Sequence, residues 1–150
     1  MRSKALFTAA KLRHDMPMFS SGNVTIYVTD MDRAVRFYTE TLGLRLAYRF
    51  GDHWASVVLG KGLTIGLHPA RETSQATVGK GGPSIGLELE GTMEDAMKTL
   101  GARGVKFDEV MNEGKAGKFA HFRDPDGNSL YLAELNWGHV NQGTGQYQQA

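Results

Sequence analysis

The chain has 150 residues, 41% of them hydrophobic, a formal net charge of +1 and no cysteine. A domain of that size can bury about 68–70% of its unfolded surface, so a genuine core is within reach. The even balance of acids and bases excludes a nucleic-acid or anionic-membrane footprint, the missing cysteine excludes disulfides and thiolate chemistry, and no apolar run approaches the ~20 residues of a bilayer span.

In chain order, residues 1–21 read as an N-terminal arm. Met1 to His14 carries four Lys/Arg and no acid, so an amphipathic targeting segment is the alternative to a frayed arm, and Met16 or Met18 is an alternative start. Asn23 to Thr29 alternates like a strand with one buried face. Asp30 stands where a helix N-cap belongs, and Met31, Ala34, Val35, Tyr38 and Leu42 follow with helical spacing up to the stop at Gly43. On that helix Phe37 and Tyr38 are expected to pack against the sheet. Leu44 to Phe50, Trp54 to Leu59 and Leu63 to His68 are three further strands, the last two joined by Gly60-Lys61-Gly62. The order is βαβββ.

Gly79-Lys80-Gly81-Gly82-Pro83 then interrupts the pattern, and the same order returns. Ile85, Leu87 and Leu89 answer Val24, Ile26 and Val28; Leu100-Gly101 answers Leu42-Gly43, ending the second helix; Ser129-Leu130-Tyr131-Leu132 answers Thr64-Ile65-Gly66-Leu67. Thr92 and Asp95 form a capping-box pattern ahead of Met93, Ala96, Met97 and Leu100. Val105 to Val110, Lys118 to Phe122 and Leu130 to Leu135 are the remaining strands, with Asp124-Pro125-Asp126-Gly127 as a turn. Residues 137–150, rich in Gly, Gln and Asn, read as a flexible tail. The expected organisation is a domain over 22–136, built of modules 22–72 and 82–136 that bury their apolar faces together around a pseudo-twofold axis, with the site on that axis.

Val24 to Gly43, with Asp30, Phe37-Tyr38 and Leu42-Gly43, and His121 to Leu132, with Asp124-Pro125-Asp126-Gly127, resemble the vicinal oxygen chelate superfamily. Its members include glyoxalase I, extradiol dioxygenases and bleomycin resistance protein. The resemblance implies an α+β fold in which two βαβββ modules form an eight-stranded bowl with flanking helices, often in a homodimer. It also implies metal ligands at four equivalent positions, which here are Asn23, Ser84, Gly66 and Tyr131. Neutral Asn and Ser oxygens are weak ligands, Tyr would have to lose a proton near pH ~10, and Gly offers no donor. The sequence therefore predicts a metal-free site and no cofactor. Without a metal, the glyoxalase and dioxygenase reactions lose their central device.

Several side chains remain to line the bowl. His68 shares a strand face with Gly66, Tyr27 and Trp54 can present flat rings with polar tips, and His121 lies on the strand before the turn. The expected ligand-binding set is Asn23, Tyr27, Trp54, Gly66, His68, Ser84, His121 and Tyr131. No Gly-x-Ser-x-Gly elbow occurs, and the glycine linker lacks the features of a phosphate loop.

The expected function is bleomycin-resistance-like binding of a small organic molecule, an antibiotic or aromatic metabolite, by a cytoplasmic homodimer with no nucleic-acid or membrane partner. The alternative is a lyase, isomerase or dioxygenase with a histidine base or a relocated divalent metal, in which His68 and His121 would converge with Glu134 or Glu88.

Overall fold

The computed structural model describes residues 18–71 and 77–135. Most of the N-terminal arm, the C-terminal tail, His14 and His139 lie outside the described residues. Strand β1 (Val24–Val28) leads into helix α1 (Met31–Arg36), which continues as a π-helical turn over Phe37–Thr41. Strands β2 (Arg45–Phe50), β3 (Trp54–Leu59) and β4 (Leu63–Pro69) complete the first module. The second contains β5 (Ile85–Glu88), α2 (Met93–Ala102), β6 (Met111–Asn112), β7 (Gly117–Arg123) and β8 (Ser129–Leu135). Among the described residues eight strands form two four-stranded sheets of matching order, β1-β4-β3-β2 and β5-β8-β7-β6. In each, the first strand pairs parallel with the last and the other pairs are antiparallel. Among the described residues no helix is long and apolar enough to cross a membrane.

Local chemistry starts both helices. The Asp30 carboxylate accepts from the Arg33 amide at 3.0 Å, and the Thr92 hydroxyl accepts from the Asp95 amide at 3.2 Å. Each cap satisfies a donor left orphaned at the helix start. One face of each sheet is then sealed by its helix. Ile26, Val28, Ala55, Val57, Ile65 and Leu67 are buried in the first module; Ile85, Leu87, Ala120, Phe122, Leu130 and Leu132 are buried in the second. All belong to one apolar cluster. The opposite faces, which carry Thr25, Tyr27, Trp54 and His68 in one module and Phe119, His121 and Tyr131 in the other, are left for another use.

Three local expectations need correction. The strand placed at Val105 to Val110 is an irregular segment with a single bridge, Phe107 to Phe122, and pairing begins only at Met111. Two apolar anchors hold it, Val105 in the core and Phe107 with its ring 5.3 Å from Phe122; the consecutive acids Asp108 and Glu109 then break the alternation that a ladder needs. The second helix does not stop at Gly101 but runs through it to Ala102, and the left-handed residue beyond it is Gly104, at φ +94°. The first helix widens at Phe37, where the Leu42 amide bonds the Phe37 carbonyl at 2.9 Å. Tyr38 is wholly buried in that turn, and it reaches beyond the sheet of its own module.

Its partner is the Asp124-Pro125-Asp126-Gly127 turn. The Gly127 amide closes the turn on the Asp124 carbonyl at 3.0 Å, with Gly127 at φ +87°. The Asp124 carboxylate is 5% exposed and accepts four hydrogen bonds: from the Tyr38 hydroxyl at 2.9 Å, the Asp126 amide at 2.9 Å, and the Asn128 amide and side chain, each at 2.8 Å. Asp126, with a side chain 2% exposed, accepts from the Thr29 amide at 3.1 Å, the Thr29 hydroxyl and the Arg33 guanidinium at 3.0 Å. The Asn128 side chain also donates to the Tyr27 carbonyl at 3.0 Å. One turn thus ties the second module to β1, α1 and the π turn.

Candidate functional site

The repeat in the sequence reappears as register. Val24 pairs with Ile65 as Ile85 pairs with Leu130, so Thr25 faces Gly66 where Gly86 faces Tyr131. At this central pair each module keeps one glycine, on opposite strands, and each glycine makes room for an aromatic ring. A Cβ at Gly66 would lie 2.2 Å from Trp54 Cη2 and 2.8 Å from Cζ2. A Cβ at Gly86 would lie 2.4 Å from Tyr131 Cζ and 2.5 Å from its hydroxyl. The rings therefore rest on bare backbone, a use of glycine that no other residue permits.

Around each ring stands a histidine. His68 is edge-on to Tyr27, with centroids 5.6 Å apart at 75°, and to Trp54, at 6.3 Å and 69°. His121 lies opposite Tyr131 in the β7–β8 ladder, with centroids 5.3 Å apart at 39°, and Phe119 approaches the same tyrosine at 6.3 Å. Of the expected ligand-binding set, Tyr27, Trp54, Gly66 and His68 come together in the first cluster and His121 with Tyr131 in the second. Among the described residues no ring contact joins the two clusters. An open cleft of about 710 Å³ adjoins the first; Thr25, Tyr27, His68, Lys80 and Asn128 are among its walls, whereas Trp54, His121 and Tyr131 are not. Asn23 and Ser84 are exposed: Asn23 accepts from the Thr25 hydroxyl at 2.8 Å, and the Ser84 and Ser129 hydroxyls pair at 2.9 Å.

The four positions where the resemblance implies metal ligands do not suit a divalent ion. Asn23 and Ser84 are occupied with neighbouring hydroxyls, Gly66 supplies no donor beneath the Trp54 ring, and Tyr131 lies on Gly86 beside a single imidazole. Nor does Glu134 join His121. It sits on the helix side of β8, where its carboxylate accepts from the Met93 amide at the start of α2. Among the described residues no group of three His, Asp or Glu side chains could hold a metal.

Electrostatics separates this region from the staple. The carboxylates most removed from water, Asp124 and Asp126, both belong to the turn that joins the modules. Burial pushes the Asp124 carboxyl above the usual carboxylate range, against the opposing effect of hydrogen bonds from Asn128, Tyr38 and Asp126. Burial also drives the Tyr38 phenol far above its ordinary value, helped by the neighbouring Asp124 charge, so Tyr38 is a permanent donor. The bowl faces instead present phenol, indole, phenyl and imidazole rings. Sequence reasoning missed Thr25 and Gly86 at the central pair, and Tyr48, Phe50 and Phe119 on the same faces. Period-two alternation from Trp54 through the β2–β3 register, and a lone glycine inside β5, were the available signals.

These features define an α+β protein of two βαβββ modules, stapled by one turn, each with a glycine-floored aromatic face. The chain belongs to the glyoxalase/bleomycin resistance protein/dioxygenase superfamily, whose family model matches residues 20–132. Among solved structures it is similar to TnmS3, an antibiotic binding protein from Streptomyces sp. CB03234, at 27% identity over 80% of this chain and 99% of that one, with a TM-score of 0.62. It is also similar to UcmS2, at 28% identity over 77% and 99%, TM-score 0.63. A lactoylglutathione lyase from Agrobacterium tumefaciens, at 19% identity over 82% and 99% with a TM-score of 0.64, shares the fold. A search of curated protein sequences returns no significant match.

Proposed function

We propose that this protein binds a small, largely aromatic organic molecule on its bowl faces without a metal or other cofactor, and does so as a homodimer. The observation that carries the reading is the paired glycine floor: Gly66 and Gly86 each give up a side chain so that Trp54 and Tyr131 can lie against the sheet. Flat rings held in this way suit a planar guest, because aromatic pairs stack or meet edge to face with little further ordering cost. Tyr27, Tyr48 and Phe50 remain exposed beside them, an amount of uncovered aromatic surface that a guest and a second copy would bury. His68, His121, Asn23 and Ser84 supply polar atoms at the edges to orient the guest. The likeness to TnmS3 supports the reading, since that protein is an antibiotic binding protein. A proton-transfer pair of His121 with Glu134 has less support, because His121 is flanked by rings and Glu134 is engaged at α2.

The test is a thermal-shift screen of the full chain against aromatic antibiotics and polycyclic metabolites, with Trp54 quenching followed in a Trp137→Phe background. Binding should raise the Tm, and Trp54→Ala should weaken it. No shift across the library, or shifts indifferent to Trp54 and Tyr131 substitution, would sink the proposal.

A further inference from the structure

His68 is the one member of the first cluster whose hydrogen-bonding direction is fixed by the protein itself. Its Nδ1 lies 2.8 Å from the Pro69 carbonyl oxygen, at the end of β4. A carbonyl oxygen can only accept, so Nδ1 carries the hydrogen. In the neutral ring this leaves Nε2 as a bare acceptor. Nε2 has no hydrogen-bond partner among the described residues, yet it is not sealed from solvent, since the only unpartnered, fully buried side-chain atom among them is Asp126 Oδ2. His68 is a wall of the 710 Å³ cleft, and Nε2 is the polar atom it has left to offer there. Tyr27 and Trp54, both edge-on to the imidazole, hold its plane, and a ring flip would forfeit the bond to Pro69.

We propose that the guest on this face is an aromatic carrying a hydroxyl, a phenol, which it donates to His68 Nε2 while its ring packs against Tyr27, the aromatic wall of the cleft. The proposal rests on the binding function above and names its ligand class. An aryl ether of the same shape lacks the hydrogen and leaves Nε2 desolvated and unpaired. An aryl carboxylate sets a negative oxygen against a lone pair, although Lys80 on the cleft wall would draw an anion in. The structure therefore opposes two recognitions, a donor for His68 and an anion for Lys80, and the position of the Nδ1 hydrogen favours the first.

The experiment uses the isotope-labelled full chain at about pH 8, where an ordinary imidazole is largely neutral. Three probes are titrated, 2-naphthol, 2-methoxynaphthalene and 2-naphthoate, with the Trp54 indole and the Tyr27 and His68 amides as NMR reporters. The long-range imidazole spectrum of His68 should show the Nδ1-protonated tautomer. Naphthol should bind about tenfold or more tightly than either analogue, the effect expected of one hydrogen bond to a desolvated acceptor. His68→Phe should erase the preference while retaining methoxynaphthalene, and His68→Gln should restore part of it through its side-chain carbonyl. An Nε2-protonated tautomer, equal binding of naphthol and its ether, or tighter binding of naphthoate overturns the phenol assignment and leaves the binding function standing. Failure of all three probes to move the reporters overturns both.

Discussion

Replacing Tyr38 with Phe removes one oxygen atom and tests how the two halves are joined. The ring stays, with its edge-to-face contact to Phe37 at 5.2 Å, so no cavity opens and the loss is confined to one hydrogen bond. That bond, 2.9 Å to Asp124 Oδ2, ends on a carboxylate buried among three other donors. A bond to a charged, buried group contributes about 1.5–3 kcal/mol, against about 0.5–1.5 kcal/mol when both partners are neutral. Burial raises the folded pKa of Asp124 above its unfolded value, so its stability contribution is complete below the unfolded pKa and is lost as pH rises through the folded one. While Asp124 is ionised Tyr38→Phe should cost the larger figure; after acidification below the folded pKa it should cost the smaller. Because Tyr38 is a donor that favours the ionised form, the variant should also move the acid limb of the stability profile to higher pH. Urea unfolding followed by circular dichroism, at about pH 7 and at several lower values, measures this directly. A loss below about 0.5 kcal/mol at neutral pH, or one that does not shrink in acid, would refute the assigned staple.

Gly66→Ala should cost about 1–3 kcal/mol and displace Trp54, since the new methyl would meet the far end of a side chain that can rotate away; a red-shifted Trp54 emission, read in a Trp137→Phe background, and weakened guest binding are the readouts, and an unchanged spectrum would contradict the floor. Gly117→Ala should be worse, above about 3 kcal/mol, because Gly117 has φ +132° and its Cβ would stand 2.1 Å from the Glu134 carbonyl, backbone against backbone; soluble, cooperative unfolding with a near-native midpoint would refute this. Zinc, nickel or manganese in about tenfold excess should leave the Tm within about 1 °C, whereas a stabilisation of several degrees abolished by His68→Ala or His121→Ala would overturn the metal-free reading.

What could be read in advance followed the range of the interactions. Asp30 and Thr92 act on amides three residues away, so the helix starts were visible in short strings. The repeat carried further. It aligned Gly66 with Tyr131, and the ladders place both beside the first strand of their module in the same register. The π turn at Phe37 had no such signal, because its buried Tyr38 answers to Asp124, 86 positions away. Asp126 and Asn128 likewise looked like turn residues, although their side chains bond Thr29 and Tyr27 across 97 and 101 positions. At the site, alternation put His68 and Gly66 on one face of their strand, but it could not show that Trp54 and Tyr131 lie over glycines on neighbouring strands. That depends on ring placement and not on pattern.

The residues that make the family recognisable and the residues that face the bowl are therefore different sets with different duties. Asp30 caps a helix, Tyr38 and Asp124 join buried polar atoms, and Asp126 holds Thr29 and Arg33; each loss leaves a donor or acceptor without a partner inside the protein. Such positions are costly to change whatever the protein binds. The bowl positions lie on the open faces of strands whose opposite faces already fill the core, so their side chains can change chemistry while the staple and core stay intact. One scaffold can in this way carry unrelated chemistries, and membership of the superfamily leaves the ligand open. The ligand has to be inferred from the atoms this chain leaves exposed there: two rings seated on glycine and an imidazole whose hydrogen is already committed to Pro69.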